Sequence, residues 1–93
     1  MRTIKRTSAF RKDYKRENKS RYQKTLENDL IEVVAMLAAD KTLPQRHHDH
    51  NLAGEWKDFR DCHIKPDLVL IYRKPDSNTI DLVRLGSHSE LGL

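Results

Sequence analysis

Several things are scarce in this 93-residue chain, and each scarcity narrows what the protein can be. There is one cysteine, Cys62, so no internal disulfide can staple the fold, and a reducing cytoplasm is the expected setting. No apolar run approaches the roughly 18 residues that span a bilayer, so no membrane association is expected. The N-terminus, MRTIKRTSAFRKDYKR, is basic but lacks the apolar core of a signal peptide. Repeats, linkers and low-complexity tracts are missing too, and the length suits a single domain over residues 1–93. Hydrophobic residues make up 37% of the chain and mean hydropathy is -0.84, which implies a modest core under a charged exterior. A core of that size gains from a bound partner.

What is present is unevenly spread. Residues 1–24 carry ten Lys/Arg against only Asp13 and Glu17, whereas residues 25–93 carry eight against twelve carboxylates. The basic excess therefore sits in the N-terminal quarter, which favours attraction to a polyanion such as RNA, DNA or the ribosome. Lys12, Lys15, Arg16 and Lys19 form the candidate docking face. A solvated helix surface would carry the same charges.

Periodicity orders the elements. Arg2 to Thr7 reads as a first strand, with Ser8 capping a helix on which Phe10 and Tyr14 stack at i, i+4. Ser20-Arg21-Tyr22-Gln23 has capping-box form and predicts the start of a second helix. Tyr22, Leu26, Leu30, Val33 and Leu37, widened by Ile31, Val34 and Ala38, form its core-facing stripe. Pro44 cannot continue a helix, and residues 45–54 read as an exposed loop. Glu55 to Ile64 alternates as a strand, with Lys57, Phe59, Asp61 and His63 on one face and Trp56, Asp58, Arg60 and Cys62 on the other. After a turn at Lys65-Pro66-Asp67, Leu68 to Tyr72 is the candidate central strand, and Ile80 to Leu85 returns as the last. Helices gathered before a meander predict an α+β fold of order β-α-α-β-β-β, with both helices on one face of an antiparallel sheet and the other face partly open.

The chemistry lies on that open side. Four of the five histidines fall between His47 and His63, and the fifth is His88. In an antiparallel meander the 63–67 turn and the end of the last strand share a rim, so His63, Asp67 and His88 can converge. Imidazoles titrate near neutrality and serve as both base and acid. His50 and Asp61 extend the candidate catalytic set, and Lys57, Arg60, Arg73 and Arg84 are candidate cations for a phosphoryl group. RNA brings its own 2′-OH nucleophile, so neither a metal nor any other cofactor is required. Four adjacent residues, His47 to His50, rarely wrap one tetrahedral ion. A zinc site of His50, His63 and His88 is the remaining metal reading. Cys62 alternates away from His63 and reads as a small core residue.

The motif strings Leu52-Ala53-Gly54-Glu55-Trp56, Arg60-Asp61-Cys62-His63-Ile64, Pro66-Asp67, Leu70-Ile71-Tyr72 and Gly86-Ser87-His88-Ser89-Glu90-Leu91 resemble the YafQ branch of the RelE/ParE toxin superfamily. The resemblance covers nearly the whole chain and implies a RelE-like fold. It also implies a type II toxin acting as a ribosome-dependent mRNA endoribonuclease, or mRNA interferase. By motif position its functional residues fall on His50, His63, Asp67 and His88, with Asp61 and Arg60 nearby. Implied partners are a DinJ-like antitoxin, the translating ribosome with its rRNA, and mRNA; operator DNA is reached only through the antitoxin complex. Two positions depart from the pattern. The chain closes Leu91-Gly92-Leu93 where relatives often carry an aromatic, and Leu68 stands where some carry Trp. The competing classes are a ParE-like inhibitor that binds DNA gyrase and a basic RNA-binding module without activity.

Overall fold

β-branched and leucine-rich runs decide where the sheet forms, and the helical stripe decides which face is covered. The computed structural model describes residues 1–93 throughout. Its elements are β1 (Thr3–Arg6), α1 (Ser8–Glu17), α2 (Leu26–Ala38), β2 (His50–Asn51), β3 (Arg60–Lys65), β4 (Leu68–Arg73), β5 (Thr79–Gly86) and α3 (His88–Leu91). The strands lie in the order β1-β5-β4-β3-β2, with β4 in the middle as its continuous apolar run requires. From β5 to β2 all pairings are antiparallel. β1 instead runs parallel to β5, Thr3 opposite Thr79 and Arg6 opposite Leu82, so the sheet is mixed. Parallel pairing needs a long crossover, and α1 and α2 supply it on the way from β1 to the meander.

Both helices cover the same face. Phe10 of α1 and Leu26, Leu30, Val33, Val34, Leu37 and Ala38 of α2 pack with Cys62, Leu68, Leu70, Tyr72, Ile80 and Leu85 from the sheet. The stripe is narrower than its apolar content suggests, because Ile31 stays 58% exposed. The Phe10–Tyr14 stack forms, with ring centroids 6.4 Å apart. The cap of α1 is Thr7 rather than Ser8: its hydroxyl accepts from Phe10 N at 3.0 Å and donates to Val83 O at 2.7 Å. The capping box expected at Ser20 is absent and α2 starts at Leu26. Ser20 Oγ is used instead on the end of α1, donating to Glu17 O at 2.6 Å, and the chain turns through residues 18–25.

The other departures cluster between residues 45 and 60. The expected loop contains a tight turn, Gln45–His47, of which His47 alone is buried, and the two-residue strand β2, too short for any period to betray. β3 begins at Arg60 rather than Glu55, because Gly54 takes φ +67° and starts a tight turn at Gly54–Trp56. That turn breaks the alternation. Trp56 therefore lies edge-on to Phe59 at 5.3 Å, on the same side of the sheet and not opposite. On this second face the buried apolar residues are only Val69, Ile71 and Leu91, with Leu52, Trp56, Phe59 and Val83 packed around them.

Candidate active site

Strand register builds the site. His63 on β3 stands opposite Val69 on β4, and Val69 stands opposite Gly86 at the end of β5. The end of β3, the start of β4 and the end of β5 thus share one rim. Ser87 then caps α3 through a reciprocal capping box with Glu90, which turns the first helical residue, His88, over that rim. The His63 and His88 rings meet edge-on with centroids 5.1 Å apart. Asp67, in the β3–β4 turn, accepts from His88 Nδ1 at 3.2 Å. A carboxylate only accepts, so Nδ1 carries the proton and Nε2 is left facing outward. Hydrogen bonds from His88 hold the Asp67 carboxyl below its usual range. Burial, and then the positive neighbour His88, push the His63 imidazole below its usual value, with Asp61 opposing.

A second group adjoins the first. β2 pairs His50 with Asp61, and His50 Nδ1 lies 3.1 Å from Asp61 Oδ1. The same nitrogen lies 2.6 Å from the His48 carbonyl and points at it, so Asp61 Oδ1 is buried with no hydrogen bond of good geometry. Burial raises the Asp61 carboxyl above its usual range, while the imidazoles of His50, His63 and His88 pull it back. His47 is buried and donates from Nδ1 to the His63 carbonyl at 2.7 Å, fixing the strand that carries the site. The His48 ring lies tilted against that of His63, with centroids 5.1 Å apart and planes at 52°. The His63 ring therefore neighbours those of both His48 and His88.

This arrangement of imidazoles and carboxylates coincides with a match along nearly the full length. Residues 2–92 match the model of the YafQ family, a bacterial toxin of type II toxin–antitoxin systems. The chain belongs to the YafQ family. It is 30% identical over 90 residues to the mRNA interferase toxin YafQ of Escherichia coli K12, covering 95% of this chain and 97% of that one. A YafQ toxin from Haemophilus influenzae is 46% identical over 54 residues, a match spanning 55% of this chain and 53% of that protein, about half of each. Among solved structures, a copper-bound mutant toxin from Helicobacter pylori superposes with TM-score 0.85 at 39% identity, covering 98% and 99% of the two chains. The E. coli DinJ–YafQ complex gives 0.83 at 32% identity, covering 98% of each chain. The fold is thus that of YafQ structures, two N-terminal helices against a five-strand mixed sheet. No group of three histidine, cysteine or carboxylate side chains stands close enough together in this structure to hold a metal ion.

The cations singled out in this YafQ chain are differently placed. Arg60 is spent on Asp49 at 3.2 Å and Asn51 at 2.6 Å, beside the Tyr72 hydroxyl, which donates to Asp49 at 2.6 Å. Arg73 pairs with Asp81 at 3.0 Å and lies over the Phe59 ring. Arg84 pairs with buried Asp13 at 2.7 Å. Burial would raise the Asp13 carboxyl, but hydrogen bonds from Arg84 and Leu85 N outweigh it and hold the group low. Lys57 is exposed beyond the Trp56 turn. None of the four is bonded to these imidazoles. Of the candidate docking residues, Lys12, Lys15 and Lys19 are exposed and make no ion pair.

Arg16 does something else. It reaches Glu90 at 3.1 Å, Asp13 at 3.0 Å, Glu17 at 3.4 Å and the Leu85 carbonyl at 3.0 Å, tying α1 to the end of β5 and to α3. Gly86 permits this approach, since a Cβ there would meet the guanidinium at 3.0 Å. Sequence reasoning missed this tie and the places of His47 and His48. The only signal for the histidines was the density of HHDH, which spacing along the chain could not resolve into one buried and one exposed ring. Cys62 is fully buried in the core as expected, and burial pushes its thiol far up.

Proposed function

We propose that this chain is a cytoplasmic mRNA endoribonuclease that cuts message on the translating ribosome, the toxin of a type II pair held in check by a DinJ-like antitoxin. The observation that carries this reading is the pairing of His63 and His88, rings 5.1 Å apart, with Asp67 on the Nδ1 of His88. His63 is the general base: its ring makes no hydrogen bond within the chain, and burial pushes its imidazole below its usual value, which favours the neutral form that accepts a proton. It takes the proton of the 2′-OH while O2′ bonds to phosphorus. The bond from phosphorus to O5′ breaks, and His88 delivers its Nε2 proton to the leaving oxygen. The products are a 2′,3′-cyclic phosphate and a 5′-OH, with no metal in the step. Asp67 stabilises the imidazolium of His88, and Asp61 with His50 supports the base side.

The partners are suggested by the surfaces. A groove of about 740 Å³ between α1, α2 and β1 has an apolar floor that includes Ile4, Leu30 and Ile31 and a rim of Arg6, Arg11, Lys12 and Lys15. Its apolar floor and basic rim suit an acidic amphipathic segment of the antitoxin, and operator DNA is met only through that complex. Exposed Lys12, Lys15 and Lys19 suit ribosomal RNA. The test is to map mRNA 5′ ends after inducing the protein in translating cells. New ends at codon-phased positions are expected; intact mRNA with blocked replication would move the reading to gyrase inhibition.

A further inference from the structure

The imidazoles of the rim are not equally committed. His47 is buried on the His63 carbonyl, His50 directs its Nδ1 at the His48 carbonyl, and His88 directs its Nδ1 at Asp67. His48 alone is exposed with a ring that bonds to no group of the chain, and it lies tilted against the His63 ring with centroids 5.1 Å apart. Its backbone is held in the left-handed region, φ 46° and ψ 42°, where it closes the Gln45–His47 turn. That conformation costs energy for a residue with a Cβ. It is pinned on both sides, by His47 on His63 and by His50 on the carbonyl of His48 itself, so the ring is presented from a fixed base.

The charge inventory says what such a ring would meet. Asp61 lies beside His50 and Asp67 beside His88, while the guanidiniums of Arg60, Arg73 and Arg84 are each paired elsewhere and the unpaired Lys57 stands beyond the Trp56 turn. An RNA phosphate entering this rim therefore needs a donor that is not already bound. We propose that His48 is a phosphate-binding residue of the site, donating from its imidazole to a phosphate oxygen of the RNA beside His63. This deepens the nuclease reading and rests on it. It also assigns to an imidazole the anchoring of the nucleotide that carries the attacking 2′-OH.

The experiment uses the full chain and a short RNA oligonucleotide made uncleavable by 2′-deoxy substitution, with imidazole resonances followed by NMR, beside cleavage assays on programmed ribosomes. His48→Gln should weaken oligonucleotide binding about tenfold or more, the scale of one charge-assisted hydrogen bond. His48→Lys should restore most of it and His48→Phe should not. On ribosomes the loss in His48→Gln should appear in kcat/KM, with His48→Lys again the rescuing variant. The inference is overturned if His48→Gln matches the parent in kcat/KM, or if His48→Phe rescues while His48→Lys does not, which would make the ring a stacking platform. A parent that binds the oligonucleotide through His48 yet cuts no mRNA would instead sink the nuclease reading and leave the phosphate site standing.

Discussion

The two faces of the sheet are built on opposite terms. On the helical face, β4 alone contributes Leu68, Leu70 and Tyr72, all essentially without solvent exposure, to a core shared by every long element. On the other face β4 contributes Val69 and Ile71, and the only helix above them is the four-residue α3. The first face spends its residues on burial and has little chemistry: its cysteine is inert. The second has a thin apolar floor and a rim of imidazoles and carboxylates, with one buried oxygen of Asp61 left without a good partner. Stability and reactivity are therefore separated across one layer of strands. The helical face supports a site that does not itself stabilise the fold.

That contrast can be broken by substitution. Leu70→Ala on the helical face should cost about 2–5 kcal/mol, the range for emptying a leucine-sized volume in a packed core. Denaturant unfolding would read this directly. A loss well under 1 kcal/mol would mean the helical face is not the structural one. On the open face, His88→Ala should leave the unfolding curve near the parent's and lower single-turnover cleavage about 10²-fold or more, the usual scale for one acid–base group. Ribosome affinity should hardly move. Parental cleavage by that variant would remove His88 from the reaction.

Two smaller effects sharpen the boundary between the faces. Arg16 crosses it, so Arg16→Ala should loosen α3 and lower kcat several-fold, whereas reversing Lys12, Lys15 and Lys19 should weaken ribosome binding and spare cleavage by bound protein. If the two sets behave alike, Arg16 is a docking residue after all. Asp61 supplies the pH-dependent case. Burial raises its carboxyl, so below the ordinary carboxylate value of about 3.9 both folded and unfolded chains are protonated and it costs nothing. As pH rises past that value the unfolded chain ionises first, and stability falls until the folded pKa is passed. At pH 7 Asp61→Asn should therefore raise Tm while lowering activity. A lowered Tm would show that the buried carboxylate stabilises the fold.

Much of this was legible in the sequence for reasons that differ between the faces. The α2 stripe and the Leu68–Tyr72 run could be read because burial imposes a period or abolishes one, and both elements are long enough to show it. The meeting of His63, Asp67 and His88 was legible because a meander returns its last strand to the rim where its first one ended. Between residues 45 and 60 the reading failed. A left-handed His48, a left-handed Gly54 and a two-residue strand leave no period, and each resets the facing of the residues after it. Thr7 displaced Ser8 as a cap because its hydroxyl also reaches Val83 O, a partner 76 positions away that local sequence cannot reveal.

In the proposed reaction RNA supplies the nucleophile, and the chemistry done by the open face is proton transfer. This is tested most directly by presenting ribosomes with an mRNA bearing a single 2′-deoxy nucleotide 5′ to the cut phosphate. The account predicts that this message stays intact while its all-ribose twin yields a 2′,3′-cyclic phosphate and a 5′-OH. Cleavage of the deoxy message at the same position, or a 5′-phosphate on the product, would contradict it.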